Sequence, residues 1–419
     1  MSSRREIMIA GGGIGGLTAA LALQRRGIEA TVFEAARQIR PLGVGINLLP
    51  HSVRVLSALG LQDELAATAI ETAELAYFNR HGQPIWSEPR GRGAGYDFPQ
   101  FSVHRGELQL LLERVARERL GPDRVICGHA LADFETVGHD VIARFVRRGE
   151  HVPDHLHRGQ ALVGADGIHS RVRARLHPGE GPPRYAGRML WRALSRGPRF
   201  LTGRSMIMAG HQDQKFVCYP ISAVGAEDDG ESLINWIAEL AVPGDTPPPQ
   251  DWSRRVDASV FCEPFAEWRF DWLDVPTLIA GADEIYEYPL ADRDPLDHWG
   301  AGPVTLLGDA AHPMFPIGSN GASQAILDAE ALADALARTT NIESALAEYE
   351  RMRRGPTSQI VLANRQNGPE RVMQLAEDRA PGGFERIEDV IPRDELEQIA
   401  ASYKAIAGFA PEQVNTPGT

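Results

Sequence analysis

A glycine-rich turn close to the start of the chain constrains the fold most. The apolar run EIMIA at residues 6–10 leads into Gly11, Gly13 and Gly16, and LTAALALQRRG follows with the apolar spacing of a helix. Gly27 marks the end of that helix. A strand, a tight turn and a helix in this order predict one unit of a parallel α/β sheet.

Each residue of this turn has its own role in a dinucleotide-binding unit. Gly11 permits the tight turn, Gly13 lets a pyrophosphate approach the backbone, and Gly16 lets the helix pack closely on the strand. The anion then lies at the helix N-terminus, beside Ile14 and Gly15, where backbone N–H groups favour negative charge. We expect all five residues to bind the cofactor.

The next apolar run, ATVFE, predicts a second strand that ends at Glu34. Glu34 lies about 20 residues beyond the glycines, where such a unit places the acid that accepts hydrogen bonds from ribose hydroxyls. An acid also argues against a ribose 2′-phosphate at this position. The predicted nucleotide is therefore FAD or NAD and not NADP.

A second helix start lies far along the chain. In LLGDAAHPMFPIGSNGASQAI at residues 306–326, a strand-like run ends at Gly308-Asp309 and a helix follows the segment 318–321. That segment consists of poor helix formers that tolerate unusual backbone angles. A simple NAD dehydrogenase would need only the first half of the chain for its cofactor. A second loop this far along the chain therefore indicates a longer ligand.

Three motifs, in this order and at these separations, resemble those of the group A flavoprotein aromatic monooxygenases, the para-hydroxybenzoate and salicylate hydroxylase family: Gly11-x-Gly13-x-x-Gly16, Asp166-Gly167 and Gly308-Asp309. The resemblance extends from residue 6 to about residue 375. The segments RPLGVGINLLPHSVRVLSALGL, GDAAHPMFPIGSNGASQAI and NRQNGPERVMQL are similar to the phenazine-1-carboxylate-type hydroxylase branch of that family.

The resemblance implies an α/β fold, in which a Rossmann-like FAD-binding domain is interleaved with an antiparallel β-sheet substrate domain and followed by C-terminal helices. Alternating apolar and polar residues across 184–240 favour antiparallel strands independently. The expected division is a FAD-binding domain of residues 1–74, 104–181 and 290–340, a substrate domain of 75–103 and 182–289, and a helical segment and tail of 341–419.

FAD is long enough to use both loops. Asp309 is suited to accept hydrogen bonds from ribityl hydroxyls, and backbone N–H groups at the second helix start would face the flavin edge where negative charge accumulates on reduction. The resemblance adds Arg105 near the flavin and its pyrophosphate, and Asp166 as an orienting group. Without the resemblance, the sequence alone would identify Arg105 as a cation at a helix start and Asp166 as part of an ordinary turn. The residues expected to bind FAD at the second loop are Gly308, Asp309, Gly318, Asn320, Gly321 and Ala322.

The resemblance also implies the reaction. NADH or NADPH would reduce FAD, and O₂ would then give a C4a-hydroperoxyflavin that hydroxylates an electron-rich aromatic ring. No second nucleotide loop is visible, which leaves NADH versus NADPH open. Two other functions stay open at this point: a flavin oxidoreductase that inserts no oxygen, and a cofactor-binding protein without catalysis.

The residues expected to line the substrate pocket differ from the pattern of the family. Hydroxybenzoate-type members often carry a Gln-Tyr pair where this chain has Pro316-Ile317, which favours a larger, more apolar aromatic ring. The resemblance to the phenazine-1-carboxylate-type branch implies a polycyclic or phenazine-like acid, with salicylate or hydroxybenzoate as the alternative. Pro316 would shape the site by packing. Tyr219 and His211 are expected on or beside strands that face the pocket, and Arg192 could neutralise a carboxylate. A core phenol, a turn residue and a surface cation are the alternatives, because alternation does not say which face points inward.

Composition limits the partners. The formal charge of −13 opposes a general role on nucleic acid, and no apolar run is long enough to cross a bilayer. The apolar run at the start of the chain is too short for the core of a signal peptide. The three cysteines are widely separated, which suits a reducing compartment. We expect a cytoplasmic monomer or homodimer that acts on a small aromatic molecule.

One histidine cluster resembles a metal site. His151, His155 and His157 lie in EHVPDHLHRG, between two predicted strands and beside a Pro-Asp turn. The pattern favours a hairpin tip over a metal site.

Overall fold

The computed structural model describes residues 6–41, 43–147, 155–222, 230–242 and 254–415. The helices are α1 (Ile14–Arg25), α2 (Pro50–Ala58), α3 (Gln62–Thr68), α4 (Arg105–Leu120), α5 (Arg171–Leu176), α6 (Val275–Ala280), α7 (Gly321–Arg338), α8 (Ile342–Arg365), α9 (Arg371–Arg379), α10 (Arg393–Ile406) and α11 (Pro411–Val414).

The strands of the amino-terminal half are β1 (Glu6–Ala10), β2 (Glu29–Glu34), β3 (Gly45–Leu48), β4 (Ile70–Glu71), β5 (Glu74–Phe78), β6 (Pro84–Pro89), β7 (Phe101–His104), β8 (Val125–Cys127), β9 (His129–Val137), β10 (Asp140–Arg147), β11 (His155–Gly159) and β12 (Ala161–Gly164). Those that follow are β13 (Arg184–Pro198), β14 (Ser205–His211), β15 (Gln214–Ser222), β16 (Glu231–Ala241), β17 (Arg255–Val256), β18 (Arg269–Phe270), β19 (Leu273–Asp274), β20 (Ile285–Asp292) and β21 (Val304–Leu306).

A five-stranded parallel sheet forms the first core, in the order β21-β12-β1-β2-β8. Its central strands are apolar and buried after Glu6, the first residue of β1, because helices cover parallel sheets on both faces. The register pairs Ala10 with Gly164 and Phe33, and Gly164 with Leu306. The ends of four strands therefore meet at one edge, and the three sequence motifs follow directly from that edge.

An eight-stranded sheet, in the order β17-β20-β13-β16-β15-β14-β5-β6, lies beside it. Its neighbours are antiparallel except for β5 and β14, which run parallel. Trp191, Phe216 and Trp236 pack on one face, under the segment that contains α6. Leu190 and Tyr219 lie on the other face, which packs against the second loop and the C-terminal helices. The predicted α/β class with an interleaved sheet and C-terminal helices is confirmed, whereas the expected domain boundaries stay a prediction.

The histidine cluster is only partly described. His155 and His157 lie on β11, which pairs with β10 in a three-stranded antiparallel sheet, while His151 falls outside the described residues. Within the described ranges, no group of three His, Cys, Asp or Glu side chains could hold a metal ion. The described helices include none with the length and apolar character needed to span a bilayer.

The C-terminal helices are tied to the substrate sheet by ion pairs. Arg365 of α8 donates to Asp292 of β20 at 2.7 Å, and Lys404 of α10 donates to Glu88 of β6 at 2.6 Å. Each pair joins segments that are far apart in the chain. The helices after β21 are therefore part of the same packed body as the sheet.

One buried histidine should make the fold sensitive to acid. Burial and the charge of Arg353 lower the pKa of His51 in α2 to about 3, so the folded protein keeps this ring neutral. The unfolded chain binds a proton below about pH 6.5, so stability falls as the pH falls below that value. Between pH 7 and pH 5 we expect a loss of about 2 kcal/mol from His51.

The measurement is the thermal unfolding midpoint of the parent protein and of His51→Gln at both pH values. The variant should lose less stability on acidification than the parent. His139→Gln, at an exposed position, is the matched control and should behave like the parent. An identical acid response of parent and His51→Gln would contradict the assignment.

Candidate active site

The first glycine loop is shaped for an anion. Gly11 has φ 114°, and a Cβ added there would lie 2.2 Å from the Ala165 carbonyl oxygen. A Cβ on Gly16 would lie 2.0 Å from the Gly11 oxygen, whereas no atom of the described residues lies within 4 Å of a Cβ on Gly13. The loop is thus closed where the helix meets the strand and open at Gly13, as a bound pyrophosphate requires.

The helix behind this loop begins without a side-chain cap. Gly13 is the N-cap of α1, so the backbone N–H groups of the first turn remain available to a ligand. Glu34 accepts hydrogen bonds from the Gly12 amide at 2.8 Å and the Ala36 amide at 2.7 Å. Each carboxylate oxygen keeps a lone pair that can accept from a ribose hydroxyl.

Gln109 of α4 also supports the loop, because its amide donates to the Gly12 carbonyl at 2.8 Å. Sequence reasoning missed this residue. A glutamine inside an ordinary helical pattern carries no local signal of a contact this far away in the chain.

The second loop presents a carboxylate to a second uncapped helix. Asp309 is exposed, and its Oδ1 lies 3.9 Å from a Cβ placed on Gly321, the first residue of α7. Among the described residues, no side chain caps α7. The dense surrounding protein raises the pKa of the Asp309 carboxyl, and the charges of His312 and Arg105 partly oppose this rise.

A buried carboxylate holds the turn before Asp309. Asp328 of α7 accepts from the Gly308 amide at 3.0 Å, from His312 Nε2 at 2.6 Å and from Arg353 Nε at 2.6 Å. Burial opposes its ionisation, yet the charges of His312 and Arg353 lower the pKa of Asp328 to about 2. Asp328 therefore stays ionised and fixes the backbone that carries Asp309.

The loop that precedes α7 is held from the C-terminal helices. We call residues 315–320 the flavin-edge loop. The Tyr403 hydroxyl lies 2.8 Å from Asn364 Oδ1 and 3.2 Å from the Ile317 carbonyl oxygen, and it accepts from Asn320 Nδ2 at 2.9 Å. The Asn320 side chain thus turns into the protein, so only its backbone could serve a cofactor. Tyr403 was not found from the sequence.

Asp166 lies at the same edge of the parallel sheet. Its Oδ2 accepts from the Arg171 amide at 2.7 Å, while its Oδ1 is buried without a partner among the described residues. Burial raises the pKa of this carboxyl, and the hydrogen bonds to Ser170 and Arg171 oppose the rise. The free oxygen is consistent with a role toward a ligand.

The buried Arg173 joins the same edge to the second loop, because its guanidinium donates to the carbonyl oxygens of Ala310 at 3.0 Å and Ala311 at 2.8 Å. The Asp166 turn and the Asp309 loop are thereby held together.

Arg105 lies between the second loop and the substrate sheet. It begins α4, and its guanidinium lies 3.8 Å from a Cβ placed on Gly43. Its charge acts on the Asp309 carboxyl on one side and on Arg192 and Tyr288 on the other. This position is consistent with the predicted contact to the cofactor.

Arg192 and Tyr219 come together against β3. Arg192 donates to the Gly45 carbonyl at 2.9 Å, and the Tyr219 hydroxyl lies beside Asn47 and Arg192, both of which act on its pKa. Gly45 must be glycine, because a Cβ there would approach Asn235 and Tyr219 within 2.8 Å. Burial raises the pKa of Tyr219 to about 12, so its hydroxyl keeps its proton.

The other two predicted substrate residues behave differently. Pro316 is exposed between Phe315 and Ile317, whose side chains pack on the sheet face that carries Tyr219. His211 ends β14, and its ring accepts from the Asp213 amide within the β14–β15 turn. The expectation that His211 faces the pocket is not supported, because strand alternation puts it on the face of Ile207, opposite Tyr219.

Comparison with known proteins agrees with this geometry. The family described as FAD binding domain matches residues 4–256 and 274–364. Phenazine 1,6-dicarboxylic acid hydroxylase PhzS of Lysobacter antibioticus is 47% identical over 367 residues, which cover 87% of this chain and 90% of that protein. 3-Hydroxybenzoate 6-hydroxylase 1 of Aquipseudomonas alcaligenes is 31% identical over 361 residues, 85% of this chain and 86% of that protein. A salicylate hydroxylase substrate complex superposes with a TM-score of 0.73 at 21% identity and covers 100% of both chains.

The chain belongs to the FAD-binding domain family. The predicted relationship to the aromatic hydroxylases is confirmed, and the protein is an FAD-dependent, NAD(P)H-consuming monooxygenase of aromatic substrates. The two glycine loops, the uncapped helices and the Asp309 carboxylate all fit FAD. The individual site residues stay predictions.

Removing the Asp309 carboxylate should weaken FAD binding. Asp309→Ala deletes an acceptor for ribityl hydroxyls, and a hydrogen bond to a charged group contributes about 1.5–3 kcal/mol. We expect the FAD dissociation constant to rise about 10- to 100-fold. Titration of apoprotein with FAD, followed by flavin fluorescence, measures this change. Asp297→Ala, at an exposed position before β21, is the control, and equal affinities in the two variants would remove Asp309 from the cofactor site.

Removing the Tyr403 hydroxyl should loosen the flavin-edge loop without emptying the site. Tyr403→Phe keeps the ring beside Gly318 but leaves buried polar atoms of Asn320 and Asn364 without this partner, at a cost of about 1–3 kcal/mol. We expect FAD to stay bound while less product forms per NAD(P)H consumed. Product yield and the thermal midpoint are measured together. Tyr286→Phe removes a hydroxyl that donates to Glu284 at 2.6 Å and should leave the yield unchanged; an unchanged yield in Tyr403→Phe would contradict the positioning role.

Proposed function

We propose that the protein hydroxylates a flat, polycyclic aromatic acid of the phenazine-carboxylate type, with FAD as cofactor, NADH or NADPH as reductant and O₂ as co-substrate. The name of the Lysobacter antibioticus relative supports this substrate class. Pro316-Ile317 supports it as well, because two apolar residues at the cofactor edge suit packing against a large ring rather than bonding to a phenol.

The observation that carries the proposal is the pairing of Arg192 with Tyr219 on the sheet face that packs against the flavin-edge loop. Burial lowers the pKa of Arg192, but a guanidinium starts so far above neutrality that it keeps its charge at pH 7. A cationic donor beside a neutral phenolic donor offers two hydrogen bonds to one carboxylate. Arg192 and Tyr219 would bind the acid group and orient the ring.

In this proposal, different residues bind different parts of FAD. When bound, FAD supplies the redox and oxygen chemistry that side chains lack. Arg105 would neutralise charge beside the phosphates, and Asp166 would help to orient the cofactor and the visiting nucleotide. Gly11, Gly13, Ile14, Gly15 and Gly16 would hold the pyrophosphate, and Glu34 would hold the ribose. Asp309 beside Gly308 would hold the ribityl chain, and the N–H groups of Gly318, Asn320, Gly321 and Ala322 would hold the ring edge.

A hydroxybenzoate-type acid is the second candidate substrate. It is favoured by the 31% identity to 3-hydroxybenzoate 6-hydroxylase 1 over most of both chains. A single-ring acid would use the same Arg192 and Tyr219 but leave more of the apolar wall uncovered. Comparing the two classes as substrates distinguishes them.

We further propose that the protein acts in the cytoplasm as a monomer or homodimer, without nucleic acid. The formal charge of −13 supports the last point. Cys127, Cys218 and Cys262 are free thiols in the structure, which supports a reducing compartment.

The test is substrate-stimulated NAD(P)H oxidation with phenazine-1-carboxylic acid, its carboxamide and 3-hydroxybenzoate, with products analysed under ¹⁸O₂. We expect the phenazine acid to stimulate most and its product to carry one ¹⁸O atom. Arg192→Met should keep bound FAD but raise KM for the acid about tenfold or more, while the neutral amide changes little.

Arg196→Met, at an exposed position on the same strand, is the matched control. An Arg192→Met variant with the parent's KM for the acid would remove Arg192 from the site. Stimulation by the hydroxybenzoate alone would favour the second candidate.

A further inference from the structure

A buried ionic cluster lies beside the flavin-edge loop and is not used in the proposed mechanism. We call it the Arg90 cluster, made of Glu88, Arg90 and Lys404. Arg90 Nη2 lies 2.8 Å from Glu88 Oε1, and Lys404 Nζ lies 2.6 Å from Glu88 Oε2. Glu88 lies near the end of the edge strand β6 and Arg90 directly follows that strand, whereas Lys404 comes from α10.

The cluster carries an excess positive charge. One carboxylate is shared by two cations. Burial raises the pKa of the Glu88 carboxyl, but the charges of Arg90 and Lys404 outweigh this effect and lower the pKa below its usual value, so the carboxylate is ionised. The Arg90 side chain is only 9% exposed and that of Lys404 22% exposed. Because burying an uncompensated charge is unfavourable, this arrangement favours an added anion.

A small cavity joins the cluster to the flavin-edge loop. Gly318 and Ser319 line it on one side, and Arg90, Gln100 and Tyr403 line it on the others. Leu75, Met206 and Met208 supply an apolar wall from the substrate sheet. The space holds about one water molecule as it stands, and flexible methionines let such a wall adjust to a larger group.

Two polar atoms at this cavity have no partner. Arg90 Nε and Gln100 Oε1 are both buried without a hydrogen bond in the part of the chain that the structure describes. Gln100 is 2% exposed. Buried polar groups are normally satisfied, so a free donor on a buried cation points to a ligand that accepts hydrogen bonds.

A line of polar side chains connects this cavity to Arg192. Gln100 Nε2 donates to Asn47 Oδ1 at 3.4 Å, and Asn47 lies beside Tyr219, the neighbour of Arg192. Arg90 and Arg192 therefore stand at opposite ends of one polar band that crosses the face of the sheet. Between them, the face is covered by the apolar residues of β14 and β5.

We propose that the Arg90 cluster is a second anion subsite, which binds the second carboxylate of a dicarboxylated polycyclic aromatic substrate. This inference rests on the proposed function, since it assumes that Arg192 binds the first carboxylate. Arg90 Nε donates to the incoming oxygen, and Lys404 supplies further positive charge. The apolar wall contacts the ring between the two acid groups.

The test compares phenazine-1,6-dicarboxylic acid with phenazine-1-carboxylic acid. Both are titrated against the holoenzyme by flavin difference spectra, and KM is measured by NAD(P)H oxidation. In Arg90→Met we expect the dissociation constant and KM of the diacid to rise at least tenfold, while those of the monoacid change less than threefold. Arg90→Lys should restore part of the diacid affinity because it restores the charge.

Two further variants separate this role from a general effect on folding. Gln100→Glu adds a negative charge at the cavity and should weaken the diacid selectively. Arg92→Met is the matched control, because Arg92 is two residues away, 51% exposed and paired with Glu71 on the surface, and it should affect neither acid.

Equal effects of Arg90→Met on both acids, or no effect on either, would overturn the subsite. If the parent enzyme binds neither acid, the proposed function fails and the subsite fails with it. If the parent binds both acids and Arg90→Met does not discriminate between them, only the subsite fails.

Discussion

One elongated ligand can be held by remote segments of a chain only if the fold brings those segments to one edge. The parallel sheet does this, because its strand order places the ends of β1, β2, β12 and β21 side by side. The close approach of Gly16 to Gly11 lets α1 start directly behind β1. The uncapped α7 then lies where the other end of the ligand is needed. Two helix N-termini on one edge are the constraint from which the cofactor site follows.

The second of these termini depends on the C-terminal helices. Asp328 accepts from the Gly308 amide of the turn before Asp309 and is itself held by Arg353 of α8. Tyr403 of α10 contacts the flavin-edge loop at the Ile317 carbonyl and binds Asn364 of α8. These polar groups are buried and hydrogen-bonded to one another, so each contact is stronger than it would be in water and costly to remove. The helices after the parallel sheet therefore position the loop as well as covering it.

The sequence named candidates on the backbone of the cofactor site but not the side chains that support it. The glycines, Glu34 and Asp309 could be predicted because strand-turn-helix units require those residues at fixed local spacing, and their roles toward the cofactor stay predictions. Gln109 and Tyr403 were not found, since each acts across a long stretch of chain through an ordinary helical pattern. His211 was expected at the pocket and lies on the opposite face from Tyr219, because alternation shows that two faces exist but not which one is lined by the site.

By itself, the sequence determined the class of fold, the family and the type of cofactor, because periodicity, turn residues and motif spacing are local properties that the chain carries in any conformation. Only the tertiary structure decided which polar side chains meet. Strand order brings Arg192 beside Tyr219. Strand order and the docking of α10 together place Arg90 and Lys404 on the same carboxylate, that of Glu88. Charge in a protein site depends on burial and on neighbours from remote segments, and neither is encoded in a local pattern.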